Sequence, residues 1–309
     1  GVVAVVLGAA LWEAIAWIRE RRGRRPTPGT ARRRLRLALF AVAAGGVLCI
    51  AWGVLIEPHR LEVTRLQLES AKLPPGARAI RILQISDLHC DASPGLEEDL
   101  PALVAAEKPD LILFTGDAVN APLGLPRFRR AMEALLLVAP VVGVKGNWDR
   151  IYFRDARFFD GPFVLSPDGC SVMVRIAGIP VRVAGVAHGN DEAADRALDE
   201  AGRAELVVLL SHAPDLAPVL DERRRRGDLL PDLYLCGHTH GGQVRLPGYG
   251  ALITLSREGK RFEAGRYDLP GGVPMYVNRG IGMSGGASPR VRFLCRPEIT
   301  VFEVAPARR

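Results

Sequence analysis

Ala79-Ile-Arg-Ile-Leu-Gln-Ile-Ser-Asp-Leu-His89 joins a β-branched apolar run to an Asp-x-His triplet. The run reads as a short buried strand, and the triplet falls just past its carboxyl end. The same pattern recurs along the chain. Residues 110–114 are an apolar strand closed by Thr115-Gly116-Asp117, and residues 141–144 are another, closed by Lys145-Gly146-Asn147-Trp148-Asp149. Residues 206–210 end in Ser211-His212, and residues 232–235 end in Cys236-Gly237-His238-Thr239-His240. Further strands are read at 171–176 and 181–186, with helices at 96–106, 127–137 and 192–201. Alternating short strands and helices from Leu61 onward predict an α/β fold, whose ligand-binding loops gather at the carboxyl edge of the sheet. There is no internal repeat.

Five such loops carry Asp87, His89, Asp117, Asn147, His212, His238 and His240. Two divalent cations roughly 3.5–4 Å apart need about seven oxygen and nitrogen ligands, one carboxylate being shared. Carboxylate and amide oxygens with imidazoles suit Mn, Fe, Zn or Mg, and the lack of Cys in the set disfavours a purely structural zinc. The five cysteines are scattered and form no CxxC pair, so neither a thiolate zinc site nor a dense disulfide framework is indicated, and Cys90 and Cys236 read as packing residues. Glycines in the motifs let the chain turn sharply off a strand. A lone Asp-x-His or Gly-Asp carries no information, because each arises by chance. The ordered set does, since four of only six histidines fall in strand-end motifs. His59, at the edge of the apolar N-terminal segment, and His188, in a turn, read as non-ligands.

The order Asp-x-His, Gly-Asp, Gly-Asn, His, Gly-His-x-His resembles the calcineurin-like metallophosphoesterase superfamily. Gly237-His-Thr-His-Gly-Gly-Gln243, Asn278-Arg-Gly-Ile-Gly282 and Arg292-Phe-Leu-Cys-Arg-Pro-Glu-Ile299 are similar to its membrane-associated phosphodiesterase branch. The resemblance covers about residues 61–304 and implies two facing mixed β-sheets flanked by helices, with the metals at one edge. It implies that one metal takes Asp87, His89 and His240, that the other takes Asn147, His212 and His238, and that Asp117 bridges them. A metal-bridging hydroxide held by Asp117 is then the nucleophile, and no side-chain nucleophile is required.

One position departs from the pattern. Many members carry His after Gly-Asn, where it assists the leaving group; here it is Trp148, whose indole cannot supply a proton at neutral pH. The loss costs about 10²–10⁴ in rate on an alkoxide leaving group. This favours an activated phosphodiester or a pyrophosphate over a simple alkyl ester. Asp149, which would orient that His, is expected to pair with an Arg or cap a helix. Trp148 is a candidate for stacking on a substrate base or sugar, with plain packing the alternative.

The charge is unevenly placed. The chain carries +7, and residues 1–56 hold nine Arg and two Glu, so the soluble body 57–309 is neutral. A neutral body argues against nucleic acid as partner and against a nuclease. Residues 37–56 lack any charge, a length that matches the roughly 30 Å hydrocarbon core of a bilayer. Residues 1–18 are apolar apart from Glu13, and read as a second span or as an interfacial helix. Gly1 stands where Met would initiate, so the natural start is expected upstream. The Arg-rich stretch 19–36 between the runs follows the positive-inside rule, and predicts a multi-pass membrane anchor, 1–56, with the catalytic domain, 57–309, on the exoplasmic side. The rival reading is a twin-arginine export signal at Arg33-Arg34, which lacks a small-residue cleavage site. Arg223–Arg226 reads as a solvated charged turn or as a contact with anionic headgroups.

These observations predict a membrane-anchored hydrolase of a phosphorylated small molecule or lipid. One relative of this type cleaves UDP-2,3-diacylglucosamine, a cytoplasm-facing task that the topology read here opposes. A metal-binding membrane scaffold without activity is the competing class, disfavoured by the intact seven-residue set. No oligomeric state is read from the sequence.

Overall fold

The computed structural model describes residues 2–23, 29–152, 164–165, 168–202, 206–285 and 289–307. The chain divides into two compact units, Gly1–Ile56 and Glu57–Arg309. Arg24 and Arg25 of the basic stretch lie outside the described residues.

The first unit is a pair of helices, α1 (Val2–Arg21) and α2 (Thr30–Leu55). Among the described residues one helix, Thr30–His59, is long and apolar enough to cross a membrane, and a second span at α1 is not found by that measure. Glu13, the one charge in the first apolar run, is not isolated. Arg36 of α2 donates to Glu13 at 3.0 Å and to both oxygens of Glu20 at 2.7 and 2.9 Å, so three charges that are costly apart form one cluster.

The second unit holds the strands β1 (Glu62–Ser70), β2 (Ile80–Ile85), β3 (Leu111–Phe114), β4 (Val141–Gly143), β5 (Val164–Leu165), β6 (Cys170–Ile176), β7 (Ile179–Val186), β8 (Leu206–Ser211), β9 (Leu233–Cys236), β10 (Arg245–Leu246), β11 (Gly250–Ala251), β12 (Gly265–Leu269), β13 (Val273–Val277) and β14 (Glu298–Pro306). Its helices are α3 (Leu100–Glu107), α4 (Leu125–Leu136), α5 (Asn147–Tyr152), α6 (Ala193–Ala201) and α7 (Ala217–Arg226). Two six-stranded sheets run β1-β14-β2-β3-β4-β5 and β12-β13-β9-β8-β7-β6, and β10-β11 is a separate hairpin. Both large sheets are mixed: β2 through β5 are parallel, as are β7, β8, β9 and β13, while β14 with β2 and β6 with β7 are antiparallel.

Alternation along the strands builds the layers. Ile80, Ile82, Leu111 and Leu113 pack with Val181, Val183, Val208 and Leu235 between the sheets. Their neighbours Leu83, Ile85, Ile112 and Phe114 face the opposite way, onto Leu100, Val104, Phe128 and Leu135 of α3 and α4. Val207 and Leu209 likewise meet Ala197, Leu198 and Leu220 of α6 and α7. A period of two with both faces apolar puts each sheet between helices and the other sheet. Gln84, fully buried, donates to the carbonyl of Cys236 at 2.9 Å and ties the two sheets near their functional edge.

Two helices start elsewhere than the periodicity predicts, and proline is the reason. Pro101 and Pro126 each sit in the first turn, where the missing N–H is harmless, so α3 starts at Leu100 rather than 96 and α4 at Leu125. Arg223–Arg226 is solvated in part only: Arg224, Arg225 and Arg226 are exposed and ion-paired, whereas Arg223 is not exposed. The stretch is the last turn of α7, and Arg223 is buried, donating to Asp195 at 2.5 Å, to Asp199 at 2.6 Å and to the carbonyl of Leu229 at 3.0 Å. Arg224 and Arg225 pair with Asp221, and Arg226 with Asp195 and Asp228.

Candidate metal centre

The loops after β2, β3, β4, β8 and β9 leave the same edge of the two sheets, and the seven polar side chains meet there. His89 Nε2 lies 3.1 Å from His240 Nε2, and His240 Nε2 lies 3.3 Å from Asp87 Oδ1. His212 Nε2 lies 3.0 Å from His238 Nδ1 and 2.9 Å from Asn147 Oδ1. Asp117 Oδ2 stands between the groups, 3.5 Å from His89 Nε2 and 3.3 Å from His212 Nε2. Two buried triads result, Asp87-His89-His240 and Asp117-His212-His238.

The backbone that places them is unusual. Asp87, His89, Asp117, His238 and His240 all have positive φ, between 44° and 72°. For residues with a Cβ this conformation costs about 1–2 kcal/mol each, and such strain collects at functional sites. Gly146 is required for a different reason: an added Cβ would collide with Asp117 Oδ1 and lie 2.6 Å from the Asp117 nitrogen.

The donors fit divalent cations. Asp87 Oδ1 is buried without a hydrogen-bond partner, while its Oδ2 accepts the N–H of His238 at 3.1 Å and the hydroxyl of Ser86. His212 Nδ1 lies 2.8 Å from the carbonyl of Thr115, which fixes the tautomer that turns Nε2 inward. His238 reverses that orientation, with Nε2 at 3.2 Å from the carbonyl of Leu255 and Nδ1 inward. Paired imidazole nitrogens that face one another at about 3 Å repel unless a proton or cation lies between them.

Electrostatics agree. Burial holds His238 below the ordinary histidine range and His89 down to about 4, so both present the neutral, ligating form. Burial pushes the Asp87 and Asp117 carboxyls up, but the neighbouring histidines outweigh it and hold both below their usual range. His212 also resists charge through burial, yet Asp117 and Asp87 lift it to about 10. The two carboxylates demand positive charge at this spot.

Two residues have roles that the sequence did not suggest. Asp149, fully buried, accepts the N–H groups of Asp117 at 2.8 Å, Ala118 at 2.9 Å and Gly146 at 2.8 Å. The helix-cap expectation is met at Gly146, the residue just before α5, but no Arg pairs with Asp149 among the described residues; the carboxylate clamps two ligand loops together. Burial and the nearby Asp117 raise it to about 7. His188 is not remote in a turn: its ring centroid lies 5.5 Å from that of His212 and 5.1 Å from that of His238. It stands two residues past β7, so the strand-end rule that found the other histidines reaches it too. Trp148 is half-buried, edge-on to His89 at 5.7 Å and stacked on Tyr152 at 5.8 Å. A groove of about 380 Å³ beside His89 is lined by His59, Asp91, Leu96, Met283 and Arg290. A larger cavity of about 680 Å³, with Lys72, Asp232 and Arg266 in its wall, lies at the opposite strand ends and contains none of these ligating groups.

An αββα sandwich with two buried His/Asp triads joined through one carboxylate defines a two-metal hydrolase. Residues 80–242 match the family model described as calcineurin-like phosphoesterase, and the chain belongs to that family. It is 32% identical over 289 residues to the metallophosphoesterase YkuE of Bacillus subtilis, covering 88% of this chain and 96% of that one. It is 32% identical over 259 residues to the phosphodiesterase YaeI of Escherichia coli, covering 80% and 90%. Similarity extends at 24% over 328 residues to the UDP-2,3-diacylglucosamine pyrophosphatase LpxG of Chlamydia muridarum, covering 86% and 96%. The chain is a hydrolase of phosphoester bonds, and its two buried clusters support two divalent metal ions.

Proposed function

We propose that the protein is a membrane-tethered phosphoesterase that hydrolyses an activated phosphodiester or a pyrophosphate, with Mn the first metal to try. The observation that carries the reading is the position of Asp117 Oδ2 between His89 and His212, at 3.5 and 3.3 Å. Asp87, His89 and His240 would hold one cation, Asn147, His212 and His238 the other, and Asp117 both. Bound there, the cations supply an acidified water and neutralise charge at phosphorus. The chain's own part is placement: Asp149 sets the Asp117 and Asn147 loops, and Thr115 sets the His212 tautomer. Trp148 supports the substrate class, because nothing at that position protonates a poor leaving group.

The tether rests on α2. Only 11% of its most apolar window is buried, whereas a core helix of a soluble body would be mostly buried. Nine arginines before and at its start support a cytoplasmic loop, two passes, and an exoplasmic catalytic domain. The relation to LpxG favours a nucleotide-lipid pyrophosphate as a second substrate reading.

The test is hydrolysis by the full chain in detergent with Mn²⁺, comparing an aryl monoester, an aryl diester and a nucleotide-lipid pyrophosphate. Turnover of the diester or the pyrophosphate well above the monoester is expected. Inertness on all three would favour a metal-binding scaffold. A reporter fused after Ile56 that is active only in the cytoplasm would overturn the orientation.

A further inference from the structure

The seven-residue set leaves an imidazole beside it unused. His188 presents its ring to two ligands at once, edge-on to His212 at 80° and tilted by 34° to His238. Neither contact is a hydrogen bond, because both neighbours have their nitrogens engaged elsewhere. His212 directs Nδ1 to the carbonyl of Thr115 and Nε2 to Asn147, while His238 directs Nε2 to the carbonyl of Leu255 and Nδ1 to His212. The ring nitrogens of His188 have no hydrogen-bond partner among the described residues. His188 is also not a further ligand. The donor atoms of Asp117, His212 and His238 all lie within 4.8 Å of one another, and His188 does not join that group. Its ring stands one layer out from the ion, where an oxygen of a bound phosphoryl group, rather than the ion, would meet it.

The backbone of His188 is pinned from the loop that supplies Asn147. Its N–H donates to the carbonyl of Lys145 at 3.1 Å, and the Arg150 guanidinium donates to its carbonyl. The residue is half-buried, so one side of it is open to solvent. A neutral imidazole carries one N–H in either tautomer, and a ring held this way is a preorganised donor. Trp148 stands at the other triad, edge-on to His89, so His188 and the indole serve different ions. We propose that His188 is a substrate-binding residue whose ring N–H donates to a phosphoryl oxygen of the ester held at the His212–His238 ion. The proposal rests on the reading of that triad as a cation site. No proton leaves the ring: the contact positions the phosphoryl group and offsets charge that builds on its oxygen.

The test compares the full chain in detergent with His188→Phe, which keeps a flat ring without a donor, and His188→Gln, which keeps an N–H donor without the ring. His188→Ala repeats the loss of the donor should the phenyl ring not be accommodated. Mn²⁺ stoichiometry is measured first, beside the far-UV spectrum. Inorganic phosphate is then the probe, its affinity read from broadening of its phosphorus NMR signal by bound Mn²⁺, with kcat/KM on an aryl diester measured in parallel. The expected result is full Mn²⁺ occupancy in every variant, with phosphate affinity and kcat/KM about 10–100-fold lower in His188→Phe and partly recovered in His188→Gln. Wild-type phosphate affinity and turnover in His188→Phe would make the ring a packing residue and overturn the proposal. Loss of one Mn²⁺ with an unchanged far-UV spectrum would make it a ligand, and overturn it equally. Equal losses in the Phe and Gln variants, with both ions retained, would sink the donor role. A wild-type chain that holds both ions but no phosphate overturns the subsite. One that binds phosphate yet hydrolyses no ester overturns the proposed activity alone, and the phosphate comparison still decides the role of His188.

Discussion

The Asp149 carboxylate accepts the backbone N–H of Asp117 at 2.8 Å, so one buried acid sets the position of another. Through Gly146 and Ala118 the same carboxylate joins the loops that follow β3 and β4. Asp149→Asn keeps the size but turns an amide donor toward N–H donors. A hydrogen bond to a charged group contributes about 1.5–3 kcal/mol, so Mn²⁺ affinity measured by calorimetry should fall about 10–100-fold. Unchanged affinity with a lowered Tm would limit Asp149 to structural support.

The two triads separate by metal count. His240→Ala should lose the ion held with Asp87 and His89, and His238→Ala the ion held with His212. Asp117→Ala should reduce both and abolish hydrolysis. Metal analysis after gel filtration checks this: retention of two equivalents in either His variant would break the assignment of triads to ions.

Trp148→His places a titratable group where the indole now stands edge-on to His89. The ratio of alkyl to aryl ester turnover should rise, by up to about 10²-fold if the ring reaches the leaving oxygen. An unchanged ratio would show that proton delivery is not what sets the leaving-group preference.

Gly146→Ala tests how closely the loops approach. The new methyl must displace Asp117 or the N-terminus of α5, because it would lie 2.6 Å from the Asp117 nitrogen. Loss of most activity is expected, with a folded far-UV spectrum retained. Wild-type turnover in this variant would mean that the loops have slack that the packing does not suggest.

Arg223 contributes to stability and to its pH dependence. Burial nudges Asp195 upward, but the Arg223 guanidinium more than reverses this and holds the carboxyl below its ordinary range. A depressed acid stabilises above its unfolded value of about 3.9 and loses that contribution as pH falls through the folded value. Arg223→Met should lower the midpoint of urea unfolding near pH 7 and flatten the acid limb below about pH 4. Parallel acid limbs in the two proteins would remove Arg223 as the cause.

The sequence by itself determined the strand-end motifs, and hence the family, the edge where the site forms and the seven residues that converge on it. It did so because a short apolar run ending in Gly-Asp or Gly-His dictates both a buried strand and a ligand-bearing turn, whatever the rest of the chain does. Local signals of this kind also gave the apolar helix before Ile56 and most of the central strands. They did not give β1, β13 or β14, whose places depend on partners more than 20 residues away, such as Glu62 beside Glu298 and Met275 beside Tyr234, nor β12, which is held at the sheet edge only through β13. Tertiary structure alone decided that Asp149 clamps two loops rather than meeting an arginine, that Arg223 is buried rather than solvated, and that His188 stands against His212. Those outcomes turn on which N–H, carboxylate or ring a buried group meets across the sandwich. Burial makes an unpartnered polar group costly, so each takes the partner that the packing brings within reach.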